Sequence, residues 1–349
     1  MRHARLTLAS SRAWRVLALG IGLGFGLLAV PNAAVAQSGG AYQVDPALVK
    51  GPTACGECHK LSLTAWKQTQ HAKTFKELPR RDKSKEIIKN LGLKRIKSAS
   101  DCLSCHFTSA HVGGKIKPIA GIACESCHGG GKNWINEHGD YGGKDVTRET
   151  ETADHRQERY AKSEAAGMIR PARLYAVVAN CYGCHTVPNE RLVNVGGHPA
   201  GSKFELVSWS QGEVRHNVWY TKENDEASAE RKRMMFIIGK ALDLEYALRG
   251  VAKATEKATY AVRMAKRAAA AKKVIKKIAS MVSAPELDEI VAIAATAKLK
   301  LNNETKLTTA AEGIATAAKA FDANYDGSTF GAVDALIPAP DKYKGQPPS

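Results

Sequence analysis

The sequence Cys-x-x-Cys-His occurs four times: Cys55-Gly-Glu-Cys58-His59, Cys102-Leu-Ser-Cys105-His106, Cys124-Glu-Ser-Cys127-His128 and Cys181-Tyr-Gly-Cys184-His185. All eight cysteines of the 349-residue chain lie in these motifs, which leaves none for a disulfide framework. Zinc sites built on cysteine pairs do not require a histidine directly after every second cysteine. Covalent haem attachment does: two thioethers fix the porphyrin edge, and the adjacent histidine reaches the iron from one face. The implied cofactors are four covalently attached haem c groups, with His59, His106, His128 and His185 as proximal iron ligands.

Haem is joined to such motifs outside the cytoplasm, and residues 1–36 read as an export signal. Arg2, Arg5, Arg12 and Arg15 form a positive start, Val16 to Val30 is apolar, and Ala34-Val35-Ala36 fits a small-residue cleavage site. The apolar run is short and Gly-rich for a membrane span. A periplasmic or exported protein is expected. The formal net charge of +17 is partly offset by haem propionates, and export leaves nucleic acid out as a partner. Aromatic content is only 6%, a deficit that flat apolar macrocycles can fill.

Composition divides the chain. Every Cys, His and Trp lies before residue 220, and Ala, Lys and Glu dominate from Thr221 to Tyr325. The expected organisation is a signal peptide at 1–36, a tetrahaem domain at 37–220, an Ala/Lys-rich helical bundle at 221–325, and an extended or disordered tail at 326–349. The fold class is mainly α: a loop-rich multihaem c-type cytochrome domain followed by an α-helical bundle. Helical pieces are expected after Cys55, through Leu61–Leu78 and around Arg156–Ala166, with glycine pairs such as Gly113-Gly114 marking loops. In the bundle, Met234, Ile237, Ile238, Ala241, Leu244 and Leu248 recur at helical spacing over 227–249, and Gly250 marks a break. A second helix runs to about Met281, with Ala254, Ala258, Ala261, Ala265 and Ala269 as its packed face. Its many lysines and arginines read first as a solvated face, and second as a docking surface for anionic lipid or an acidic partner. Further helices begin at Ser283-Ala-Pro285 and Asn302-Asn303-Glu304.

The sixth position on each iron decides between electron transfer and catalysis, because a second histidine closes the centre to substrate. Outside the leader and the motifs stand His71, His111, His138, His155, His198 and His216. At this point the residues resemble a family. Gly51-Pro-Thr-Ala-Cys-Gly-Glu-Cys-His-Lys60, Ala65-Trp66-Lys67-x-Thr69-x-His71-Ala72-Lys73 and Gly121-Ile-Ala-Cys-Glu-Ser-Cys-His-Gly-Gly130 are similar to segments of the tetrahaem cytochrome c-554 family. The resemblance covers about residues 51–186 and implies stacked haem pairs. It implies His71 as the distal ligand of the Cys124/Cys127/His128 haem and His138 as that of the Cys55/Cys58/His59 haem. The family's fourth haem takes a histidine from just before its motif, but Tyr175–Asn180 contains none. His198, in a Gly-His-Pro…Phe-Glu-Leu segment similar to larger multihaem cytochromes, is the expected replacement, with His216 and His155 in reserve. The family's second haem is five-coordinate. His111, close to His106 in sequence, is a ligand of a neighbouring haem, a proton donor or an exposed loop residue.

Two functions compete on this basis, an electron carrier between redox partner proteins and a haem enzyme. The enzyme would act on nitric oxide, hydroxylamine or nitrite at an open second haem. A non-enzymatic carrier is favoured, with the C-terminal bundle as a module for oligomerisation or membrane-surface docking.

Overall fold

The computed structural model describes residues 44–348, so the expected export signal lies outside the described residues. Short helices carry the motifs: α1 (Pro52–Gly56), α2 (Lys60–Gln68), α3 (Gln70–Glu77), α4 (Asp82–Asn90), α5 (Ser100–His106) and, after a hairpin, α6 (Cys124–His128). The hairpin strands are β1 (Thr108–Val112) and β2 (Lys115–Ala120), antiparallel, with Val112 opposite Lys115. Gly113 and Gly114 both have positive φ, 58° and 73°, as a two-residue hairpin turn requires. The sequence reading placed a loop here, and the glycine pair closes a hairpin instead.

Next come α7 (Ala153–Ala165), α8 (Leu174–His185), α9 (Glu190–Asn194), α10 (Leu206–Ser210) and α11 (Val218–Thr221). Four long helices complete the chain: α12 (Ala229–Lys253), α13 (Thr259–Ala279), α14 (Pro285–Thr296) and α15 (Glu304–Asn324). The described chain is mainly α, as expected. The last four helices pack in a cycle, α12 on α13, α13 on α14, α14 on α15 and α15 on α12.

Gly250 does not end α12, which continues to Lys253. A Cβ there would stand 2.7 Å from Met264 Cγ, so the glycine allows α12 and α13 to approach closely. The buried stripe of α13 is Ala261, Met264, Ala268, Ala271, Ile275 and Ile278, whereas Ala269 is exposed. The alanine-only stripe was therefore out of phase beyond Ala261, because the larger Met and Ile side chains fix which face is buried. Arg263, Lys266, Lys273, Lys276 and Lys277 occupy the exposed face.

The compositional border near residue 220 is not a gap in the packing. One apolar core runs from Leu174, Val178 and Tyr182 of α8, through Val193, Phe204 and Leu206, into Ile237, Leu242, Leu248, Ile275, Ile314 and Phe321. The C-terminal segment is not an extended or disordered tail either. It forms 3₁₀ turns at Gly331–Leu336 and Pro340–Lys342, and buries Phe330 and Val333. Lys344 is held by backbone bonds to Ser208 and Glu213. Phe330 stacks on Phe321 at 5.4 Å, and this apolar anchor outweighs the Pro and Gly content.

Candidate haem-ligand pairs

In three of the four motifs the five residues are helical and end on the histidine, at His106, His128 and His185. On a helix, positions i, i+3 and i+4 share a face, so both thiols and the imidazole emerge together. In the first motif α1 stops at Gly56 and His59 caps α2. The motifs meet in a definite order. The Cys55 thiol is hydrogen-bonded to Cys124, and the Cys105 thiol to Cys184. Cys127 lies close enough to Cys181 to raise its pKa, which burial has already pushed up; the result is about 12. The first motif thus adjoins the third, the third the fourth, and the fourth the second.

Four histidine pairs accompany this arrangement. His59 faces His138 with ring centres 6.1 Å apart, and His71 faces His185 at 6.2 Å. His106 faces His198 at 6.2 Å, and His128 faces His216 at 6.3 Å. Each pair joins one motif histidine to one outside the motifs. Metal–imidazole bonds are about 2.0–2.1 Å long, so two rings bound on opposite sides of one metal have centres roughly 6 Å apart. Each pair could therefore hold a haem iron between its two imidazoles, and the motif's two cysteines would attach the macrocycle.

The partners differ from those the resemblance implied. His71 lies against His185 rather than His128. His198 lies against His106 rather than the fourth motif, and His128 has the reserve residue His216. His138 faces His59, as the resemblance implied. His111 belongs to no pair: it is exposed on β1, with its backbone N–H donated to Pro46. His155 also stands apart, with Nδ1 2.7 Å from the Glu151 carboxylate.

Burial favours the neutral form of these imidazoles, in which nitrogen binds metal. It is the largest cause lowering the pKa of His71 and His128, and that of His106 and His185 to about 4. Interaction with His198, His71 and Arg81 lowers the pKa further at His106, and with His71, Arg267 and His106 at His185. Several Nδ1 atoms are fixed by backbone carbonyls: His128 by Ile169 at 3.0 Å, His138 by Ile135 at 2.6 Å, His198 by Pro199 at 2.9 Å and His216 by Val214 at 2.8 Å. Such bonds leave Nε2 free for iron and orient the ring. His185 is different, with Nδ1 3.0 Å from the Ser202 hydroxyl.

Several supporting residues escaped sequence reasoning. Glu125, inside the third motif and buried, accepts from the backbone N–H groups of Lys50, Gly51 and Gly131 at 2.7–2.8 Å, which ties the first motif to the third. Gly51 has φ of 91°, and a Cβ there would meet Ile119 Cδ1 at 3.2 Å. Arg159 joins Glu151 in a buried ion pair and donates to His138 O at 2.5 Å. Phe204 stacks on His185 at 4.5 Å, and Trp219 lies 4.2 Å from His59. Next to the His106–His198 pair is a cavity of about 190 Å³, lined in part by Leu78, Arg81, Ile87, Cys102 and Leu192.

Comparison with known proteins bears on the motif segment. Residues 54–129 match the family described as cytochrome c554 and c-prime. Over 97 residues the chain is 35% identical to "Cytochrome c-554" of Nitrosomonas europaea (strain ATCC 19718 / CIP 103999 / KCTC 2705 / NBRC 14298), which is 26% of this chain and 41% of that protein. The chain thus covers well under two thirds of this relative's length. No solved structure matches the chain. The matched stretch, with its Cys-x-x-Cys-His motifs at Cys55, Cys102 and Cys124, is that of a c-type cytochrome.

Proposed function

We propose that this chain is an exported tetrahaem c-type cytochrome that passes single electrons between redox partner proteins, every iron being closed by two histidines. Haem I is held by Cys55, Cys58, His59 and His138, and haem II by Cys102, Cys105, His106 and His198. Haem III is held by Cys124, Cys127, His128 and His216, and haem IV by Cys181, Cys184, His185 and His71. The observation that carries the reading is the set of four imidazole pairs, all with ring centres 6.1–6.3 Å apart. Iron in such a macrocycle supplies one-electron redox chemistry, and axial histidines on both faces keep substrate off the metal. The protein's own part is to hold each imidazole in place and to set the distances between centres. Contact between the motifs gives the conduction order I–III–IV–II.

His198 decides between this reading and an enzyme acting on a small nitrogen species. Its place opposite His106 closes the second iron, the position at which substrate would bind. The test is intact mass together with low-temperature EPR of the oxidised holoprotein, before and after nitric oxide or cyanide. Four haem additions and only low-spin signals, unchanged by ligand, are expected. A high-spin signal abolished by the ligand overturns the closed reading.

A further inference from the structure

The four stations differ in the bonds to their imidazoles: among the described residues one histidine at the first and one at the second has a backbone-carbonyl partner, both do at the third, and neither does at the fourth. At the third, both axial histidines give Nδ1–H to a backbone carbonyl, His128 to Ile169 and His216 to Val214. Each such bond strengthens the imidazole as a donor, which favours ferric iron and lowers the potential. At the fourth, neither axial histidine has a carbonyl partner. His185 Nδ1 lies 3.0 Å from the Ser202 hydroxyl, a weaker acceptor than a carbonyl, and His71 makes no ring hydrogen bond among the described residues.

Two further features act in the same direction at the fourth station. Its motif lies on α8, whose Val178 and Tyr182 are almost fully buried in the core shared with the C-terminal helices, and Phe204 covers His185. A bis-histidine haem core carries one positive charge when ferric and none when ferrous, so an apolar surrounding favours reduction. The second feature is a cation. Arg267 of α13 donates through Nη1 to Ser202 O at 3.0 Å and lies 5.8 Å from the Tyr182 ring. Its Nε is ion-paired with Asp243 of α12, so Nη1 is the part that faces the His185 loop. Gly201 makes that approach possible: its φ is 78°, and a Cβ would stand 3.1 Å from Arg267 Nη1.

We propose that haem IV has the highest reduction potential of the four, and that Arg267 is a positioning and tuning residue that helps set it. The inference rests on the tetrahaem reading above. The C-terminal helices thereby enter the electronic design of the cytochrome, through the Asp243–Arg267–Ser202–His185 line.

The test is a stepwise redox titration of the holoprotein, in which an electrode supplies one electron per haem. The four-haem mass and the low-spin EPR are recorded first, so that failure of the tetrahaem reading shows separately. His71→Met replaces one axial imidazole of haem IV by a thioether, which raises that centre's potential and marks its step. Movement of the highest wild-type step supports the proposal, and movement of any lower step overturns it. Should that variant assemble with fewer haems, R267Q and R267K decide. The top midpoint falls in R267Q and is restored in R267K if Arg267 acts through its charge. A top midpoint that stays at the wild-type value in both overturns the assignment.

Discussion

His106 and His198 face one another with ring centres 6.2 Å apart, and on the proposed reading this pair closes the one centre that the family resemblance had left open. Replacing His198 by Ala leaves His106 without a partner across the iron. One of four haems then becomes high-spin and binds cyanide, while the other three spectra stay as they were. His111→Ala, on the exposed hairpin, leaves the EPR spectrum unchanged.

Glu151 governs an acid limb of stability. Its carboxylate is buried and bonded to Arg159, His155 and Arg156. The Arg159 hydrogen bonds, ahead of those from His155 and Arg156, lower its pKa from 4.5 to about 2. A depressed folded pKa gives stability that is fully present above the unfolded value and is lost as pH falls through the folded one. Denaturant midpoints are therefore expected to drop between about pH 4.5 and pH 2 more steeply in the wild type than in E151Q. At neutral pH, E151Q is expected to be less stable by about 3–5 kcal/mol, because Arg159 stays buried without its counter-charge.

Gly121 is packed against backbone. A Cβ there would stand 2.0 Å from His71 O and 2.7 Å from Thr74 Oγ1, and Ile122 N–H already donates to His71 O. Gly121→Ala must push α3 away, at a cost of about 1–3 kcal/mol or more. The expected result is a lower thermal midpoint together with a changed low-spin signal for the haem that His71 serves. Gly139→Ala, with nothing within 4 Å of its Cβ and, like Gly121, no positive φ, controls for loss of a glycine.

Phe330 is 3% exposed and packs against Phe321 and Tyr325. Phe330→Ala is expected to cost roughly 3–5 kcal/mol by denaturant titration. If the tail added nothing to the fold, the midpoint would not move.

The motif cysteines and their histidines stand out in the sequence because attachment chemistry is written in adjacent residues. The phase of α12 was legible because Met234, Ile237, Ile238, Ala241, Leu244 and Leu248 recur at the helical period and are all buried. α13 was harder, since alanine fits a packed face or an exposed one equally well, as Ala268 and Ala269 demonstrate. The hairpin did leave a signal, Gly113-Gly114 with Val112 on one side and Ile116 on the other, but a loop reading absorbed it. Partner choice among the histidines was the least legible. His71 lies in the same stretch of chain as the first motif and meets the fourth, and no local pattern carries that information. Glu125 likewise carries no local sign of its role, although its carboxylate gathers the backbone N–H groups of Lys50, Gly51 and Gly131.

Each histidine pair also has a timetable. A chain delivered N-terminus first presents His138 before His185, then His198, and His216 last of all. On the tetrahaem reading the later-delivered partners of stations I, IV, II and III therefore arrive in that order, which is neither the order in which the cysteines emerge nor the proposed order of electron passage.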